Sequence, residues 1–255
     1  VYREKNYCWT IKKKSCKIDK LIYNKVKEVA FMEFVQAQFS LKYQPQIKIR
    51  RSVNEIEDYL QEHYGTPQTV PIPDDFAAEA PRIILNSHNG HSQISFSQIS
   101  VDFTVSFDGD YRTDFGLTQE YILERIGILK DLLEKIGICD FYFAGITYNM
   151  HLNTEHQDYI SYMRKILGLD ECKNMYEATR RVATTVDNQF FVNEQIGTYK
   201  EYQNKGASIP NLMDFVNSKL VDEGINLSID INNRFEYLQT GESKKLDTFD
   251  AIITK

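Results

Sequence analysis

The residues best suited to chemistry are Asp230 and, a little further on, Glu242-Ser243-Lys244. Restriction-type nucleases place an acid on one strand and Glu-x-Lys on the next, so that two carboxylates hold magnesium and the lysine polarises water. The apolar alternation of Leu227, Ile229 and Ile231 puts Asp230 on the polar side of its strand. Against this, Gly241-Glu242 reads as a turn, a poor platform for a metal. Asp170-Glu171-Cys172-Lys173 has the same letters in a loop and is a weaker match. A magnesium-dependent nuclease using Asp230, Glu242 and Lys244 is thus an alternative reading of the chain.

Other constellations are thinner. His88 and His91 flank Asn89-Gly90 and are weak candidates for a metal, since neutral imidazole suits zinc, but turns carry polar residues for solvation alone. His151 and His156 have a spacing that diverges on a helix. Asp108, Asp110 and Asp114 resemble half of a calcium loop, but Arg112 and Gln119 stand where ligands belong, so a turn followed by a helix cap is expected. Cys139 beside Asp140 has no activating base placed by sequence and reads as a buried structural thiol. The polar cluster Asp230 to Arg234 reads as a bulge with Asn at positive φ. No nucleophile motif, phosphate loop, paired-cysteine metal signature or dinucleotide fingerprint is visible, so neither a catalytic residue nor a cofactor is expected.

Composition bounds the rest. The chain has 255 residues, of which 42% are apolar, 26% charged and 13% aromatic, a globular balance able to bury a core without staples. Four scattered cysteines suit a reducing cytosol. No apolar run approaches the roughly 18–20 residues that span a bilayer. No signal peptide is visible, so a cytoplasmic protein without membrane contact is expected. Residues 1–27 carry +7 against −6 for the whole chain, which leaves −13 on the remainder. Lys12, Lys13, Lys14 and Lys17, with Tyr2, Tyr7, Trp9 and Tyr23, are weak candidates for a nucleic-acid contact. The preferred reading is a solvated basic segment, because an acidic body repels phosphate at long range.

The elements that would position these groups are clearest from Pro81 to Met150. Arg82-Ile83-Ile84-Leu85 leads into Asn89-Gly90, a strong hairpin signal. Ile99 to Phe107 alternates, with Ser100, Asp102, Thr104 and Ser106 facing out, and the parity change at Ser97-Gln98 marks a bulge or turn. Thr118 is the expected N-cap of a helix whose stripe is Ile122, Ile126, Leu129, Leu133 and Ile136, closed by Gly137. Ile138 to Met150 reads as a buried strand. Earlier, Val26–Leu41 suggests a strand and Asn54–Tyr64 a helix. Thr66 to Pro81 holds four of the six prolines and is the best linker or surface crossing. Later, helices are expected at His156–Leu167, Asn174–Thr185 and Ser208–Glu223, with strands at Phe191–Tyr202 and Ile225–Tyr237.

The run from Pro81 to Met150, through Pro81-Arg82-Ile83-Ile84-Leu85 and Gly145-Ile146-Thr147-Tyr148-Asn149, resembles a sporadically distributed family of uncharacterised bacterial proteins of similar length. So do the Ile225–Tyr237 strand and a final strand near Phe249–Ile253. The resemblance covers about half of the chain and omits the basic N-terminal segment. It implies a mixed α+β scaffold from variable genome regions that often carry phage-defence or mobile-element genes, and it brings no catalytic residues.

The expected fold is therefore α+β: a largely antiparallel twisted sheet packed on one face by helices at 118–136 and 210–223, with two related strand–helix–strand halves at 99–148 and 190–237. The segments are 1–65, basic with strand and helix; 81–150, hairpin–strand–helix–strand; and 151–255, a second helix/strand unit, with 81–255 forming one core. Long strands and plentiful aromatics point to a non-enzymatic protein-interaction module that forms a homo-oligomer.

Overall fold

The structure, a computed structural model, describes residues 31–153, 158–203 and 219–246. The central strand β1 (Phe31–Tyr43) is followed by a short 3-10 turn and helix α1 (Val53–Leu60). Then come β2 (Gln68–Thr69), β3 (Ile83–Asn86), β4 (Ser92–Phe96), β5 (Ser100–Ser106), α2 (Phe115–Lys135) and β6 (Asp140–Asn153). The second half holds α3 (Tyr159–Leu167), β7 (Thr179–Val186), β8 (Phe190–Gln203), β9 (Lys219–Asn232), α4 (Arg234–Thr240) and β10 (Lys244–Lys245). All pairings are antiparallel, and the strands form one open sheet in the order β2-β3-β4-β5-β1-β6-β9-β8-β7, with β10 also on β6. Segments distant in sequence thus share one sheet, with β1 between β5 and β6.

Local chemistry explains the best-formed elements. Gly90 takes φ +75° in the β3–β4 hairpin, where a side chain would be strained. The Ser97 amide donates to the Ser100 carbonyl, closing the tight turn behind the parity change seen in sequence. In α2, Ile122, Ile126, Leu129, Leu132 and Leu133 are buried against the sheet, each worth about 1.5–3 kcal/mol. Gly137 ends the helix at φ +83°.

Two bulges divide the central strands between faces. An extra residue at Val35 in β1, and another at Tyr142 in β6, shift the register of the β1–β6 ladder. Each shift reverses side-chain parity. Phe34, 5% exposed, and Phe141, fully buried, therefore join the apolar face although their neighbours' alternation would turn them away.

Several expectations are corrected. The cap of α2 is Asp114, which accepts from the Gly116 and Leu117 amides, and Thr118 is buried within the helix. Ser100 is buried at the turn rather than facing out, while Cys139 is exposed rather than buried. Most of the expected helix Asn174–Thr185 is instead strand β7: its Val and Thr side chains fit a pleated surface, and Asp187 and Asn188, at φ 53° and 54°, turn the chain into β8. Residues 219–223 of the expected helix Ser208–Glu223 are strand, and residues 208–218 lie outside the described residues. Phe235 to Tyr237 belong to α4, not to a strand. Asn233 sits at φ −91°, so the polar cluster leads into a helix without any Asn at positive φ. The strand near Phe249–Ile253 and the basic segment 1–27 lie outside the described residues.

The proline-rich crossing is stapled down. Arg82 is fully buried and donates to the carbonyls of Phe76, Ala77 and Ala80. Arg50 reaches the carbonyls of Val70 and Ile72 and the Asp74 carboxylate, and Gln98 donates to the Asp74 carbonyl at 2.7 Å. Replacing Arg82 by Met keeps volume but leaves the Phe76 and Ala80 carbonyls without a donor, the Ala77 carbonyl keeping the Ala80 amide, so Arg82→Met should cost about 3 kcal/mol. Arg50→Ala, at a half-exposed site, should cost about 1 kcal/mol. Urea unfolding midpoints check this; equal losses for the two variants would refute the burial account.

Candidate interaction surface

Because side chains alternate along each strand, the pairing registers sort the sheet into rows. One row reads Leu85, Ile94, Phe103, Phe39, Ile146, Ile231, Val192 and Thr184, strand by strand. Its first four members are buried in the main core with α2. One residue along, on the opposite face, lie Asn86, Gln93, Thr104, Gln38, Thr147, Asp230, Asn193 and Ala183. The next row on that face is Ser106, Gln36, Asn149, Ser228, Gln195 and Arg181. Amides and hydroxyls dominate these rows, and their side chains are half-buried to exposed. These rows offer donors and acceptors, with Asp230 and Arg181 as their charged members.

Asp230 stands on this face in β9, the third strand from the β7 edge. Its carboxylate accepts from Asn193 Nδ2 at 2.8 Å, Asn232 Nδ2 at 3.0 Å and Thr147 Oγ1 at 3.4 Å. The other two residues of the nuclease reading are elsewhere. Lys244 pairs in register with Phe141 and is bonded to the Glu236 carboxylate, whereas Asp230 pairs with Thr147. The two register positions are roughly 20 Å apart along β6. Glu242 is exposed after α4, its amide donating to Thr240 Oγ1 at 3.2 Å. The register therefore does not bring Asp230, Glu242 and Lys244 together.

The weak histidine candidates also diverge. His88 Nε2 lies 2.9 Å from the Gln61 carbonyl, whereas His91 Nε2 lies 3.5 Å from Asp108 Oδ2. His91 and Asp108 edge a shallow cleft of about 340 Å3, counting its open mouth, with Val105, Phe107, Tyr111 and Tyr121. Among the described residues, no three His, Cys, Asp or Glu converge to hold a metal. Lys12, Lys13, Lys14 and Lys17 lie outside the described residues, as does His156.

At the far end of the polar face, His151 on β6 stacks on Tyr199 of β8 with ring centroids 3.9 Å apart. Tyr199 donates to Asp222 Oδ2 at 2.7 Å, and Arg112 pairs with Glu33 at 2.9 Å. Gly224, directly opposite Tyr199 in the ladder, makes room for the ring: a Cβ there would lie 3.1 Å from it. Burial holds the His151 pKa below the ordinary imidazole value, with nearby Asp222 opposing the shift. Burial, together with the bond to Asp222, pushes the Tyr199 hydroxyl up. On the other side of the sheet, Tyr159 donates to Glu223 Oε2 at 2.7 Å and is pushed up to about 12, first by burial and then by that carboxylate.

The sheet's two edges differ. β2 has two residues, flanked by Pro67 and Pro71, which blunts it. β7 has eight residues, none of them proline, and among the described residues no strand pairs with its outer side. In an antiparallel ladder alternate residues exchange both backbone bonds with one neighbour. The Ala178 carbonyl accepts from the Thr198 amide at 3.1 Å, so even-numbered residues point their backbone groups toward β8. Thr179, Arg181, Ala183 and Thr185 therefore point theirs outward. Sequence reasoning missed this edge, although Val182, Thr184, Thr185 and Val186 followed by Asp187-Asn188 carried a strand-and-turn signal.

Among the described residues, no helix is long and apolar enough to cross a membrane. No protein-family model matches the chain, and a search of curated proteins finds no match.

The His151 environment predicts a pH dependence of stability. The folded ring resists protonation, so as pH falls below about 6.5 the unfolded chain binds more protons than the folded one. Stability should therefore fall through this window until the folded ring titrates too. His151→Phe should lose this component, flattening the urea midpoint between about pH 7 and 5 relative to the parent. Parallel profiles for parent and variant would refute the assignment.

Proposed function

We propose that this chain is a non-enzymatic protein-interaction module of a bacterial cytosolic system and that it works as a homo-oligomer. The observation that supports this most is the outer edge of β7. Its outward N–H and C=O groups lie beside an amide-lined face, and strand addition uses such an edge for affinity and the adjoining side chains for specificity. Exposed apolar side chains in the same half of the sheet, Tyr202, Leu220, Val221 and Ile231, suit a protein partner. The resemblance to the sporadically distributed bacterial family adds the setting, an association with phage defence or mobile elements. No cofactor enters this reading. Of the enzymatic residues, Lys244 is held by Glu236 and gives the nuclease reading no support.

Native mass spectrometry of the protein gently purified from its own host tests the proposal. The expected result is a mass above the monomer, made up of protein. A monomer carrying divalent metal or nucleotide, together with metal-dependent cleavage of DNA or RNA that Asp230→Ala abolishes, would overturn it.

A further inference from the structure

We infer that the outer edge of β7 pairs with β7 of a second copy of this chain, antiparallel, about a two-fold axis at Ala183. The inference rests on the interaction reading above and names its partner. A two-fold axis perpendicular to a sheet keeps each residue on its own face, so the opposed residues must both be odd or both be even. Only axes at Val182 or Ala183 pair nearly the whole of Thr179–Val186 with itself. Charge chooses between them. An axis at Val182 sets Arg181 one diagonal step from Arg181 of the second copy, on the same face, a like-charge pair that opposes association. An axis at Ala183 sets Arg181 opposite Thr185, Arg180 opposite Val186 and Val182 opposite Thr184. The two Arg181 side chains then stand four residues apart along the paired strands.

The same register satisfies the backbone. Arg181, Ala183 and Thr185 point their N–H and C=O groups outward, and each meets an outward-pointing residue of the second copy, giving about six hydrogen bonds. It also continues both faces. The polar row that ends Asp230, Asn193, Ala183 meets its own copy, and the row that ends Ile231, Val192, Thr184 meets the row that ends Ile229, Glu194, Val182. Two amide-lined faces become one surface across the axis.

Sedimentation of the full chain at micromolar concentration tests the pairing, and a dimer is expected. Ala183→Pro removes an outward donor while sparing the ladder to β8, and should leave a monomer with an unchanged far-ultraviolet spectrum. Hydrogen-bonded opposite residues stand about 5.5 Å apart at Cα, within disulfide reach. Under mild oxidation Ala183→Cys should therefore give a disulfide joining the two substituted positions, mapped by peptide mass, and Val182→Cys should give far less. This pair of variants decides the matter even if the proline variant fails to fold. A monomeric parent, or a dimer in which Val182→Cys links and Ala183→Cys does not, overturns the inference. If the parent is a monomer in sedimentation yet host-purified protein carries another protein's mass, self-pairing falls and the interaction reading survives. If neither experiment shows a protein partner, both fall.

Discussion

The β1–β6 ladder is the constraint on which the rest of the structure depends. β1 is hydrogen-bonded on both sides, to β5 and to β6, so its backbone joins the hairpin region to the long strands of the second half. A strand paired on both edges cannot slip without turning every side chain to the wrong face. The bulges at Val35 and Tyr142 are tolerated because each moves one aromatic ring into the core. Phe34 meets Phe115 at the start of α2 with centroids 5.2 Å apart, and Phe141 packs near the end of the sheet.

The two faces follow from this register. On one, α2 buries a continuous apolar row, with Phe39, Phe103, Ile94 and Leu85 beneath it. On the other, Asn, Gln, Thr and Ser rows leave the backbone ladder intact while presenting hydrogen-bonding groups outward. Asp230 is held there by two amides and a hydroxyl, the surroundings of a structural carboxylate on a polar surface. The arginines of the proline-rich crossing complete the frame. Buried Arg82 spends its donors on carbonyls of a segment that has little regular structure of its own.

Much of the first half was legible in the sequence because local signals and tertiary demands agree there. Asn89-Gly90, the alternation from Val101 to Phe107, and the stripe from Ile122 to Leu133 each announce one element. The second half was less legible. Asn174 to Thr185 contains residues compatible with a helix, and only pairing with β8 makes them a strand. Phe235 to Tyr237 carry aromatics that suit a strand, yet they turn into α4, where Phe235 meets Phe191 and Tyr237 meets Tyr142. Of the candidate surface, Asp230 was visible as an acid on a polar face. Its neighbours Asn193 and Thr147 come from strands far away in sequence, and no local pattern links them. The bulge at Val35 was invisible for the same reason, since it is defined by a partner roughly 110 residues away.

The central place of β1 also sets the order in which the chain can assemble. β1 leaves the ribosome before its partner β6, which is complete only at Asn153, roughly 110 residues later. At about 5–20 residues per second, Phe31 to Tyr43 would wait on the order of 5–20 s for its β6 edge to be paired, β5 being complete earlier, at Ser106. Long-range pairing of this kind is slow and exposed to aggregation. During synthesis, then, a strand that is paired on both sides in the finished protein has one side open, and is a natural client for chaperones.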